Sequence, residues 1–70
     1  MRTRRYQIVV SGQLSEIDRG EFEDLRIERH GMDTVLIGEL DQPALRGAME
    51  RIMTSDLELK GLTLLAEETS

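Results

Sequence analysis

The chain has 70 residues, no cysteine, one histidine and a formal net charge of −5. This length allows one domain, residues 1–70, and the lack of cysteine excludes a disulfide framework and the usual thiolate-bound structural zinc. The acidic balance disfavours nucleic-acid binding, and no apolar run is long enough for a signal peptide or a membrane span, so we expect a cytoplasmic protein without a membrane partner.

A half-buried strand is the first predicted element. Apolar residues alternate with neighbours over 6–10, which is the period of two expected of a strand with one buried face. A basic arm at residues 1–5 precedes this strand. Ser15 is then a candidate helix N-cap, but Gly20 in mid-segment disfavours a regular helix. We therefore expect the first helix to be short or irregular.

A β-hairpin and a second helix follow. Alternation over 25–27 and the apolar run within 34–40 predict two strands, and Gly31 between them suits a tight turn. Asp41 then caps a helix whose apolar residues recur at helical spacing. These residues are Leu45, Ala48, Met49, Ile52 and Met53. Their spacing predicts one buried helix face, packed on the sheet.

A fourth strand completes the predicted fold. It begins at Leu57 after the helix ends near Ser55, it carries Gly61 as a candidate bulge, and an acidic tail at residues 66–70 follows. The order strand, weak helix, strand, strand, helix, strand is the ferredoxin-like βαββαβ pattern. We therefore predict the α+β class, with a four-stranded antiparallel sheet and both helices on one face.

Apolar residues on both faces of this sheet predict a homodimer. A chain this short has a marginal core, and without a disulfide or a metal the remaining means of stabilisation is oligomerisation. The residues that we assign to the second, interface-forming face are Val9, Val35, Ile37, Leu62 and Leu64. We predict a homodimer that associates by this sheet face or by an edge strand. Its predicted role is that of a non-enzymatic interaction or regulatory module that acts through protein–protein contacts.

Residues suited to catalysis are few. His30 has Asp24 and Asp33 nearby in sequence, the residue types of an oriented general base, but histidine and aspartate are ordinary in an exposed hairpin turn. The acidic stretch at 16–24 lacks EF-hand spacing, and the glycines are too dispersed for a phosphate loop. We expect no catalytic residue, no metal site and no cofactor; a cofactor-free enzyme stays open on fold analogy alone.

Two resemblances are visible in the second half. The segment 34–47, continued by Leu57-Glu58-Leu59, resembles a group of small uncharacterised proteins common in actinobacteria, which implies a cytoplasmic protein of no particular activity. More distantly, a strand, an Asp-x-Pro helix start and a closing apolar strand are similar to ACT domains, ferredoxin-like modules that bind amino acids at dimer interfaces. This likeness implies an alternative function, a sensor of an amino acid or similar metabolite. Its ligand-binding residues would be Asp41, Gln42, Pro43 and Leu45.

Overall fold

The computed structural model describes residues 3–67, in four strands and two helices. The elements are β1 (Arg4–Ser11), α1 (Glu16–Glu21), β2 (Arg26–His30), β3 (Asp33–Leu40), α2 (Gln42–Thr54) and β4 (Glu58–Glu67). Part of the predicted basic arm, residues 1–2, and part of the predicted acidic tail, residues 68–70, lie outside the described residues. Most of the remainder belongs to a strand, because β1 includes Arg4 and Arg5 and β4 includes Ala66, while Thr3 precedes β1.

The strands form one antiparallel sheet in the order β2-β3-β1-β4. β1 lies in the middle, between β3 and the edge strand β4. This order, with a helix after β1 and another after β3, confirms the predicted α+β, ferredoxin-like arrangement. The first helix is short, as predicted, since α1 has six residues.

The core lies between one face of the sheet and α2. Ile8 of β1 pairs with Leu36 of β3, and neither side chain is exposed to solvent. Ala48 and Ile52 of α2 pack on this cluster at the spacing of one helix face. The alternation predicted for β1 therefore does place one side of the strand in the core.

The N-cap and the buried face of α2 are as predicted, except at Met53. Asp41 is the N-cap, and its Oδ1 accepts a hydrogen bond of 2.9 Å from the Ala44 amide. Leu45 and Met49 pack against the core cluster. Met53, which we predicted to be buried, is 78% exposed. The prediction for Met53 is wrong because the buried stripe ends at Ile52, the preceding residue.

The first helix is positioned by its N-cap and by the residues that flank it. Ser15 is the N-cap, and its side chain accepts a 3.2 Å hydrogen bond from the Asp18 amide. No residue within α1 is buried, and Ile17 is 78% exposed. The buried anchors are Leu14 just before α1 and Phe22 just after it. α1 is thus an exposed helix, and the residues on either side of it, Leu14 and Phe22, pack in the core.

The β2–β3 hairpin and the loop after β1 are joined by hydrogen bonds. The hairpin loop has two residues, and Gly31 at its first position takes a φ of 64°, as a type II′ turn requires. The amide of Gly12 donates to the Met32 carbonyl at 2.9 Å. The Thr34 hydroxyl, on a side chain that is almost fully buried, donates to the Gly12 carbonyl at 2.7 Å. These bonds fix the end of β1 against the hairpin.

The pairing of β4 with β1 corrects one predicted assignment. Leu62 lies opposite Ile8, and Leu64 lies opposite Tyr6, so both leucines share the helix-bearing face with the core. Their predicted place on the second face is wrong. The reason is a register shift near Val9, where Lys60 is an extra residue in β4 and inverts the alternation that follows it.

Candidate functional site

Four leucines on β4 form the main exposed apolar surface of the sheet, here called the β4 leucine strip. They are Leu59, Leu62, Leu64 and Leu65, and they are exposed by 38%, 44%, 47% and 45% respectively. Three of them lie opposite buried residues of β1, since Leu59 pairs with Val10 in addition to the two pairs given above. The strip therefore extends the core to the edge strand β4, and its leucines stay more than a third exposed although α2 contacts this strand.

Charge is absent from the middle of this strand. Residues 61–66 are all uncharged. The lysine that precedes them, Lys60, directs its Nζ to the Asp33 carboxylate on β3, at 3.0 Å from Oδ2 and 3.3 Å from Oδ1. Because β1 lies between β4 and β3, this side chain crosses the second face of the sheet. The leucine strip is thus bordered by a lysine that points away from the edge.

The second face carries a smaller apolar patch than predicted. Val9 pairs with Val35 across the β1–β3 ladder, and Ile37 lies in the next row of the same face. Val35 is only 5% exposed within a single chain, whereas Val9 and Ile37 are half-buried. Since Lys60 crosses β1 next to these residues, polar side chains already cover part of the patch. The role of these three residues in an interface stays a prediction.

The free edge of the hairpin carries an ionic cluster. The Glu28 carboxylate contacts Arg26 Nε at 2.6 Å and His30 Nε2 at 3.1 Å. The hydrogen bond with His30, followed by the charge of Arg26, lowers the pKa of Glu28 from its ordinary value of 4.5. Asp33, which the sequence placed near His30, is bonded to Lys60 instead. The cluster keeps Glu28 ionised and makes β2 a charged edge.

The predicted ligand-binding residues lie at the start of α2. Asp41 is occupied in capping the helix, Leu45 packs on the core, and Gln42 and Pro43 are exposed. A cleft of about 220 Å³ lies next to them, between the end of α1 and α2. Its lining includes Ala44 but none of the four predicted residues. Their role in binding a ligand stays a prediction.

This cleft combines an apolar floor with a charged rim. Its floor includes Leu40 and Phe22, and its rim carries an ion pair in which Arg51 Nη1 lies 2.7 Å from Glu21 Oε1. Both charged side chains are about half exposed, so the ion pair contributes little to stability. The pair does connect α1 to α2 across the cleft.

Two kinds of feature are absent from the part of the chain that the structure describes. Within residues 3–67, no three His, Cys, Asp or Glu side chains lie close enough together to hold a metal ion. Neither helix in that range is both long and apolar enough to cross a membrane.

Sequence reasoning missed two members of the leucine strip. The predicted interface residues do not include Leu59 or Leu65, although each of these leucines is more than a third exposed. A signal was present in the sequence, because the final strand has an uncharged stretch at 61–66, between Lys60 and Glu67. An uncharged stretch of this kind points to a surface that is covered by something else.

Comparison with known proteins gives one positive result. A family profile described as Domain of unknown function (DUF8691) matches residues 5–65, which is most of the chain and includes every strand and helix at least in part. No curated protein and no solved structure matches.

Proposed function

This chain belongs to the DUF8691 family of domains of unknown function, and we propose that it is a small non-enzymatic module that forms a homodimer and acts through protein–protein contacts. The proposal places this role in the cytoplasm. The observation that carries it is the β4 leucine strip, which is contiguous with the core and ends at an unpaired strand edge. Apolar patches of this kind, bordered by polar residues, are typical of association surfaces.

Burial of the strip contributes a free energy comparable to the cost of association. Full burial of a leucine side chain contributes about 1.5–3 kcal/mol, so burying the roughly 40% that remains exposed contributes about 0.6–1.2 kcal/mol per leucine. Eight leucines in two copies then contribute about 5–10 kcal/mol. Association costs about 4–15 kcal/mol in lost freedom of motion. Leucine burial therefore offsets most of this cost, and further contacts at the interface decide the affinity.

The second face supports this role less well than the strip does. Val35 is already buried by its own chain, so a partner would remove little of its surface from water. The strip, by contrast, exposes more than a third of each leucine. For this reason we assign self-association to the β4 margin, in place of the face that carries Val9 and Ile37.

Sedimentation equilibrium at micromolar concentration tests the proposal. One chain has a mass of 8.0 kDa, and we expect a particle of twice that mass. Leu62→Lys should raise the dissociation constant by about tenfold or more, because it places a charge in the strip. Met53→Lys is the matched control, since it adds the same charge at an exposed apolar residue of α2, and it should leave the dissociation constant unchanged.

Two results would overturn the proposal. A particle of 8.0 kDa at every concentration rules out the homodimer. A dimer that is equally stable in Leu62→Lys and in Met53→Lys rules out the strip, and Ile37→Lys then tests the second face. The ACT-like alternative has a different readout: a free amino acid that binds the folded protein should raise its melting temperature in a concentration-dependent manner.

A further inference from the structure

We infer that two copies of this chain join edge to edge, β4 against β4 in antiparallel orientation, so that their sheets form one sheet of eight strands. This inference rests on the proposed homodimer and specifies how it is built. The two-fold axis passes midway between the two Thr63 residues and is perpendicular to the sheet. Main-chain hydrogen bonds between the two β4 strands then add to the free energy of association that leucine burial contributes.

The two edges of the sheet differ in how they are protected. β2 has five residues, and all of them except Ile27 are charged or ionisable. β4 has ten residues and an uncharged middle, residues 61–66. Proteins prevent unwanted strand pairing by keeping edge strands short and charged. β2 has this protection over its whole length, whereas β4 has bulges at Lys60 and Leu65 but leaves the regular, uncharged residues 61–64 between them open, which indicates that this part of the β4 edge is covered in the working protein.

The lysine next to the uncharged segment does not block the edge. A lysine in an edge strand normally discourages pairing, because pairing brings its charge toward a dry surface. Here Lys60 is the extra residue of a bulge, and Asp33 holds its ammonium group over the second face at 3.0 Å. Its charge is paired within its own chain, and its side chain points back across the sheet. A second β4 strand can therefore approach.

The sequence of β4 matches itself in one register. In an antiparallel pair about a perpendicular two-fold axis, opposed residues lie on the same face of the sheet. Leu62 and Leu64 share the helix-bearing face, so centring the pair on Thr63 places Leu62 of each copy opposite Leu64 of the other. The second register shift of β4, at Leu65, leaves residues 61–64 regular between the two bulges, so residues 62–64 of the two copies pair regularly and Gly61 lies opposite the bulged Leu65. The leucines then form one cross-strand cluster.

Charge and size are compatible with a second copy as the occupant. Each chain carries a net charge of −5, and pairing through an uncharged segment keeps most like charges apart. Ten strand residues span about 30 Å, so β4 runs along the 35 Å dimension of the molecule. The side that it borders measures 35 by 17 Å, an area of about 600 Å². A standard interface takes about 800 Å² from each partner, so even the whole of this side is smaller than that, and pairing through it gives an interface at the small end of the range.

Cysteine cross-linking tests the geometry, because the chain has no cysteine of its own. In the proposed register, the two Thr63 Cα atoms lie about 4.5–5.5 Å apart, within the range that a disulfide bridges. Thr63→Cys should form a covalent dimer on mild oxidation at least about tenfold faster than Thr54→Cys. Thr54 is a matched control, since it is an exposed threonine at the end of α2.

Hydrogen exchange on the unmodified protein is the second measurement. Backbone amides in residues 61–66 should exchange more slowly as protein concentration rises, while amides of the β2 edge should not change. If the protein is dimeric but Thr63→Cys cross-links no faster than the control and β4 gains no protection, edge pairing is wrong and the homodimer survives. If the protein is monomeric by mass, the proposed function itself fails.

Discussion

Substitution of Gly38 by alanine tests how closely the α1–β2 connection packs on the sheet. Gly38 lies opposite Tyr6 on the core face of β3. A Cβ atom built there would overlap Cδ2 of Leu25 and lie 3.5 Å from the Leu25 Cα atom. Leu25 is only 8% exposed, so it has little room to move away. Overpacking of this kind costs about 1–3 kcal/mol. In a domain of this size, each kcal/mol lowers the melting temperature by about 4–8 °C.

Gly47→Ala is the matched control, because the same methyl group is added where no heavy atom lies within 4 Å. Gly47 is inside α2, where alanine is favoured over glycine by about 1 kcal/mol, so this variant should be more stable. Urea unfolding at one fixed protein concentration measures both. In a Leu25→Val background, which lacks the overlapping carbon, Gly38→Ala should cost less. Equal stability changes for the two glycine variants, or no relief from Leu25→Val, would refute the packing argument.

Three further predictions concern hydrogen bonds. Thr34→Val should lower the unfolding free energy by about 1–2 kcal/mol in urea titrations, because the Gly12 carbonyl loses its buried donor. Asp41→Ala should cost about 1 kcal/mol by the same measurement, whereas Asp41→Asn keeps the cap and should cost little. Glu28 has a pKa lowered chiefly by its hydrogen bond with His30, so its contribution is present above pH 4.5 and is lost as the pH falls through the lowered pKa. Glu28→Gln should therefore flatten the decline in unfolding free energy below pH 4.5.

Local chemistry made most of the fold predictable. Asp41 identifies the start of α2 because a carboxylate cap satisfies amides that have no partner inside the helix. Gly31 identifies the hairpin because its turn needs a positive φ. In β1, period-two alternation correctly separates buried from half-buried residues. Each of these signals depends on neighbours within four residues, which is the range that a sequence displays directly.

The face of Leu62 and Leu64 was not predictable for a physical reason. Counting alternate residues from Leu59 assigns them to the second face, and this count is valid only for an unbroken ladder. The extra residue Lys60 shifts the count by one, and its position depends on how β4 meets β1. The exposed fraction of the strip leucines was not predictable either, because the extent to which α2 covers β4 depends on tertiary packing.

The central position of β1 has a consequence for how the chain is made. β1 is synthesised first, but both of its neighbours in the sheet come later, and β4 comes last. At translation rates of about 5–20 residues per second, β1 waits several seconds for its final partner. During that time one flank of the nascent sheet stays open, with Ile8 and Val10 only partly shielded.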